Sequence, residues 1–123
     1  MRIIETKNAP SAIGPYSQAI VAGGFIFTSG QIPLVPETGL IIEGGIKEQT
    51  IQVIKNIEAI LLSANSSIQR VVKTTCYLKN IDDFAEFNAV YSKYFTSKPA
   101  RSCVEVAAIP KNALVEVEVI AEI

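Results

Sequence analysis

The chain has 123 residues, with 11 Lys+Arg against 12 Asp+Glu, a net charge of −1, 49 % hydrophobic residues, two cysteines and no histidine. That length points to one domain, large enough to fold without a disulfide or metal staple. The missing histidine excludes Ser-His and Cys-His triads and His-bearing zinc motifs, two cysteines cannot make a Cys₄ site, and the balanced charge gives no reason for broad binding to nucleic acid.

Arg2–Glu5 is a short β-prone run, and Gly14-Pro15 within Ser11–Tyr16 marks a turn. Gln18–Ala22 and Phe25–Ser29 are apolar runs split by Gly23-Gly24. Two glycines tolerate the positive φ of a tight turn, so this segment predicts a hairpin. Gln31–Gly45, with Pro33, Pro36, Gly39, Gly44 and Gly45, reads as a loop. From Ile46 to Ala64 the period becomes helical. Ile46, Thr50, Val53, Ile54, Ile57, Ile60, Leu61 and Ala64 line one side, and Lys47, Glu48, Gln52, Lys55 and Glu58 are expected to point away. Asn65 is placed to end this helix, because Asn accepts the left-handed conformation.

Val71–Leu78 reads as a strand, with Val72, Thr74, Cys76 and Leu78 on one face and Lys73, Thr75 and Tyr77 on the other. A second helix is expected over about Asp83 to Phe95. Asp83 and Glu86 fit a capping box, and Phe84, Phe87, Tyr91 and Tyr94 form the apolar stripe. Pro99 opens the last part, where Ala100–Ala107 and Leu114–Ile123 are β-rich runs joined by Ile109-Pro110-Lys111-Asn112. The order β-β-β-α-β-α-β-β specifies an α+β domain, two helices on one sheet in two layers. The other sheet face has no helix to cover it, which predicts self-association.

Cys76 and Cys103 read as free thiols in a reducing cytosol. The opening MRIIETKNAPSAIG, with no long apolar stretch before a small-residue cleavage site, is not expected to act as a signal peptide. No run approaches the roughly 18 apolar residues of a membrane span, so a cytoplasmic protein is expected.

Arg101 is the first candidate for chemistry. Flanked by Ala100 and Ser102 on a strand, its fork can meet a carboxylate bidentately. Arg101, Cys103, Glu105 and Ala107 would share a face; a solvated Arg paired with Glu is the plainer alternative. Glu116 and Glu118 are the second candidate, standing roughly 7 Å apart on one face of a strand, a spacing suited to activating water and equally ordinary for a half-exposed strand. If the last two strands pair, one choice of register brings the Arg101 and Glu116 faces together, and the sequence does not set that register. Cys103 has no histidine to activate it and reads as a packed small residue. Tyr16 sits on a turn where a phenol can reach a ligand or pack. Ser29 and Gly30 end a strand, where Gly30 lets a backbone N–H approach a ligand or simply makes a turn. Asn88 lies off the stripe of Phe84, Phe87 and Tyr91 and is expected in solvent. The Asn65-Ser66-Ser67 sequon has no role without secretion, and no phosphate-binding loop is present.

Five segments occur together in order: Gly14-Pro15-Tyr16-Ser17-Gln18, Thr28-Ser29-Gly30-Gln31-Ile32-Pro33, Val72-Lys73-Thr74-Thr75, Phe84-Ala85-Glu86-Phe87-Asn88 and Pro99-Ala100-Arg101-Ser102-Cys103-Val104-Glu105-Val106. With them the whole chain resembles the Rid (reactive intermediate deaminase, or YjgF) family, in its enamine/imine deaminase branch. The resemblance implies a chorismate-mutase-like α+β domain over residues 1–123, assembled as a homotrimeric barrel with sites between subunits. It implies hydrolysis of 2-imino acids such as 2-iminobutanoate and 2-iminopropanoate to 2-oxo acids and ammonia, without a cofactor. By the same resemblance Arg101 binds the substrate carboxylate, and Glu116 with the backbone around Cys103 positions water. Tyr16, Ser29, Gly30 and Asn88 line the pocket. Ala108 and the short Thr96-Ser97-Lys98 stretch depart from close relatives and bear on pocket access. Two alternatives stand beside deamination: a non-catalytic 2-oxo acid binding or regulatory trimer, and RNA cleavage, against which the near-neutral charge and absent histidine argue.

Overall fold

The computed structural model describes residues 1–123. The elements are β1 (Arg2–Ile4), β2 (Ala19–Ala22), β3 (Phe25–Thr28), α1 (Ile46–Ser63), β4 (Val71–Leu78), α2 (Phe84–Tyr94), β5 (Ala100–Glu105) and β6 (Val115–Glu122). The expected β-β-β-α-β-α-β-β order is the observed one. One six-stranded sheet runs β1-β2-β3-β6-β4-β5. Only β4 and β5 pair in parallel, with α2 as their crossover. β2 and β3 form the expected hairpin, turning on Gly23 at φ +60° and Gly24 at φ +82°.

α1 starts where Glu48 accepts a hydrogen bond from the Gly45 N–H at 2.8 Å, and it ends at Ala64, followed by Asn65 at φ +60°. Its apolar side buries Val53, Ile54, Ile57, Ile60 and Leu61. Gln52 corrects the expected pattern: it is buried and donates to Asn56 Oδ1 at 2.9 Å. Asn56 in turn donates to the carbonyls of Ile32 and Leu34, at 3.2 and 2.9 Å. The loop after β3 lies over this side of the helix, and its carbonyls need those donors because buried polar groups go unpaired only at a cost.

α2 also differs from expectation. Asp83 ends a 3-10 turn at φ −81°, ψ 0° and makes no side-chain cap, so the capping box does not form. A capping side chain needs extended backbone to reach back to the first turn, and Asp83 lacks it. Phe87, Tyr91 and Phe95 form the buried aromatic stack, with ring centroids 5.6 and 4.4 Å apart along it. Phe84 and Tyr94 stand at its margins.

β4 covers the expected residues, but a bulge between Val71 and Lys73 shifts its start. Val71 takes the buried place, and Val72 is exposed. An extra residue in a ladder turns the side chains before it to the other face. β5 ends at Glu105 rather than Ala107, where Glu105 accepts a hydrogen bond from the Ile81 N–H at 2.9 Å.

The core lies between the helices and one sheet face, where Ile26, Cys76, Leu78, Val115, Val117 and Ala121 are buried. On the opposite face a row of aligned residues, Ile3, Ile20, Phe27 and Ile120, crosses four strands. Ile3 and Phe27 are 63 % and 42 % exposed, so this row is apolar and uncovered in the single chain. No helix is long and apolar enough to cross a membrane.

Candidate active site

β4 stands between β5 and β6, so the last two strands do not pair. Arg101 aligns with Thr74, and Thr74 with Val119, on the helix-covered face. Val104 aligns with Tyr77, and Tyr77 with Glu116, on the open face. Aligned residues in a pleated sheet point the same way. Arg101 and Glu116 therefore project from opposite faces of one sheet, and their faces do not coincide. The candidate residues fall into two groups.

The first group is built on α2 and β5. Arg101 Nη1 donates to Asn88 Oδ1 at 2.7 Å. Its guanidinium carbon stands 4.8 Å from the Tyr91 ring centroid and 5.5 Å from that of Phe84. Each such cation–π contact contributes about 0.5–1 kcal/mol at an exposed site. No carboxylate pairs with Arg101; its side-chain partner is a neutral amide. The plainer alternative, an Arg paired with Glu, is thus not what the fold builds, and Asn88 is half-buried rather than free in solvent. Asn88, Arg101, Ser92 and Pro99 border a cleft of about 470 Å³.

Cys103 shares this face and aligns with Cys76. Both are free thiols. Burial pushes the Cys76 thiol up to about 12. Burial also raises Cys103, against a downward pull from Arg101. Protonated thiols are poor nucleophiles, and Cys103 is partly buried beside Cys76 on this face.

The second group surrounds Glu116. Gln31 and Val117 exchange backbone hydrogen bonds at 2.8 and 3.1 Å, which lays Gly30 over the Glu116 side chain. Ser29 is tied down by its N–H to the Gln18 carbonyl at 2.8 Å and its hydroxyl to the Ser17 carbonyl at 2.5 Å. Tyr16 is 55 % exposed, its hydroxyl accepting a long 3.4 Å bond from the Ile13 N–H. Tyr16, Ser29, Gly30 and Glu116 line one cleft of about 540 Å³. Desolvation raises the Glu116 carboxyl above the ordinary carboxylate range, with repulsion from Glu118 adding to it. Glu118 itself accepts a hydrogen bond from the Tyr77 hydroxyl at 2.9 Å. No three His, Cys, Asp or Glu side chains converge as metal ligands.

The structure adds residues that the sequence reading did not single out. Gln18 is buried and fastens the loop carrying Tyr16: its amide donates to the carbonyls of Thr6, Ala9 and Pro10, and its Oε1 accepts from the Thr6 N–H. Lys111, at φ +57°, brings a cation to the rim of the Glu116 cleft. Tyr91 and Thr74 lie beneath Arg101. Of these only Tyr91 has a sequence signal: with Phe84 and Asn88 it is spaced i, i+4, i+7, one stripe of a helix.

The sequence profile of the family described as Endoribonuclease L-PSP matches residues 6–123. A RutC family protein of Pyrococcus abyssi is 59 % identical over 120 residues, covering 97 % of this chain and 94 % of its own. A Salmonella typhimurium protein named 2-iminobutanoate/2-iminopropanoate deaminase is 45 % identical over 124 residues, covering 98 % of this chain and 96 % of its own. Among solved structures, E. coli TdcF with bound serine superposes with a TM-score of 0.95 at 41 % identity, covering 100 % of this chain and 99 % of its own. With a profile match over nearly its whole length and relatives at these identities, the chain belongs to the Endoribonuclease L-PSP family, also called the Rid, YjgF or RutC family.

Proposed function

We propose that the chain is one subunit of a homotrimeric 2-imino acid deaminase, a single deaminase domain over residues 1–123 working in the cytoplasm. The observation that carries this reading is the placement of Arg101 and Glu116 on opposite faces of one sheet. One chain holds two half-sites. A second copy docked on the open face brings its Arg101 group to the first copy's Glu116 group. The uncovered apolar row is the surface such docking buries.

In the completed site Arg101 grips the substrate carboxylate, its charge left available because Asn88 is neutral. Tyr16, Ser29, Gly30 and Asn88 shape the pocket. Glu116, with the backbone around Cys103, orients a water against the imine carbon. Oxygen adds to carbon as the C=N π electrons move to nitrogen, giving a carbinolamine. A proton from the added water passes to nitrogen, the C–N bond breaks, and the 2-oxo acid and ammonia leave. The substrate is already electrophilic, so the protein's task is orientation, which by itself lowers a barrier by several kcal/mol. A raised Glu116 carboxyl is a better proton acceptor for that water than an ordinary one.

The named activity of the Salmonella relative supports this chemistry. The test is a coupled assay in which a dehydratase supplies the imine and oxo acid formation is followed. Wild type turns over, and Arg101→Ala and Glu116→Ala are each inactive. Refolding the two inactive variants together restores activity, because mixed trimers contain one site with both native groups. Two inactive variants that stay inactive when mixed overturn the shared site, and an active Arg101→Ala overturns the assigned chemistry.

The serine-bound relative favours a second reading, a trimer that binds small amino or 2-oxo acids without turning them over. Wild type that binds 2-oxobutanoate yet leaves the imine untouched selects it.

A further inference from the structure

We infer that the Tyr91 ring is the positioning group for Arg101, and that the buried Thr74 hydroxyl lets the ring lie there by pairing the Tyr91 hydroxyl. This rests on the carboxylate-binding role proposed for Arg101. An arginine on an exposed edge strand has many rotamers, and a carboxylate receptor must hold one. Three residues of one helical stripe hold it here. Asn88 Oδ1 fixes Nη1 at 2.7 Å, the Phe84 ring flanks the guanidinium, and the Tyr91 ring lies nearest beneath it at 4.8 Å.

Tyr91 is itself held at both its hydroxyl and its ring. Its hydroxyl is 2.8 Å from Thr74 Oγ1, and Thr74 is fully buried. Its ring stacks on Phe95 at 4.4 Å and meets Phe87 at 5.6 Å. Thr74 is also the strand neighbour aligned with Arg101. The backbone that carries the arginine and the hydroxyl that sets its support are thereby locked in one register. A carboxylate in place of Asn88, or a flexible side chain in place of Tyr91, would either neutralise the guanidinium or let it wander. The arrangement keeps the charge and removes the freedom.

Carboxylate binding is felt alike in ground and transition states, so loss of the support raises KM and spares kcat. In the coupled imine assay Tyr91→Leu raises KM about tenfold with kcat within about twofold. Thr74→Val alone, which strands the Tyr91 hydroxyl, raises KM about threefold. Combining Thr74→Val with Tyr91→Phe keeps the ring, leaves no orphaned hydroxyl and returns KM to within about twofold of wild type. A fall in kcat at unchanged KM marks a merely structural role and overturns the inference. So does a folded Thr74→Val/Tyr91→Phe protein with KM about tenfold above wild type, an outcome that stands even where Tyr91→Leu fails to fold. Arg101→Ala run alongside separates the two ideas: if it turns over normally, the reading of the function fails, whereas an inactive Arg101→Ala beside an unaltered Tyr91→Leu removes only the positioning role.

Discussion

Glu116 rests its carboxylate on the backbone of Gly30 so closely that a β-carbon there would stand 2.5 Å from Oε1. Gly30 is not needed for its backbone angles, since its φ lies outside the left-handed region. It is needed because anything larger evicts the carboxylate. Gly30→Ala is therefore expected to fold normally, with wild-type circular dichroism, and to lose about a hundredfold in kcat/KM, the effect of moving a reacting group by about 1 Å. Activity within a few-fold of wild type would show that Glu116 is not held where the reaction needs it.

The Glu116 carboxyl gives a pH signature. Burial raises its pKa in the folded chain. The folded state then holds this proton more tightly than the unfolded state. Its stabilising contribution is complete below the unfolded value of about 4.3 and is lost as pH rises through the higher folded value. Glu116→Gln has no such loss. Urea midpoints at one fixed protein concentration should show the variant gaining on wild type between about pH 4 and neutrality. A gap that does not change with pH contradicts it.

Cys103 lies two residues from Arg101 on the same strand face, and burial raises its thiol, so it is protonated at neutral pH. In the proposed site the group that acts near it is backbone. Cys103→Ala should keep kcat within about threefold of wild type, and brief iodoacetamide treatment at pH 7 should leave the wild type active. A dead Cys103→Ala protein with an intact fold would put the thiol into the chemistry.

Much of this architecture could be read from residues alone, for identifiable reasons. α1 and β4 have long, regular periods, and Gly23-Gly24 can be little other than a turn. The bulge in β4 was hidden because Val71 and Val72 are the same residue, so a slip of one leaves the pattern unchanged. Gln52 and Asn56 look solvated on any helical wheel; only the loop from Gln31 to Gly45, folding over them, makes them core. The opposed faces of Arg101 and Glu116 depend on β4 inserting between β5 and β6, a long-range pairing that no local pattern encodes. The contact of Arg101 with Asn88 was nearer to hand. Phe84, Asn88 and Tyr91 share a stripe at i, i+4 and i+7, which the stronger apolar pattern of Phe84, Phe87 and Tyr91 masks.

Gln18 tests a different part of the site. Its side chain serves four backbone groups of the N-terminal loop, from 2.7 to 3.3 Å, while 3 % exposed. Leucine at this position fills the volume and strands those groups. Gln18→Leu should cost about 1–3 kcal/mol of stability, the range for leaving a buried polar group unpaired, and should loosen the loop that carries Tyr16. Limited proteolysis would cut between Lys7 and Tyr16 in the variant before wild type. Equal cleavage rates would show that the loop is held by something else.

Phe27 sits in the uncovered row with Ile3, Ile20 and Ile120 and points away from the core. A charge there costs the single chain little, since water already reaches the ring. At an interface between copies the same charge would be buried without a partner, at a cost of several kcal/mol. Phe27→Asp should therefore keep its secondary structure while its light-scattering mass falls from that of an assembly to the 13.3 kDa of one chain. Turnover of the imine should fall with the mass, because Arg101 and Glu116 of one chain face opposite ways and cannot serve one substrate. A Phe27→Asp protein that is monomeric and fully active would defeat the shared site, and one that stays assembled would place the interface elsewhere on the chain.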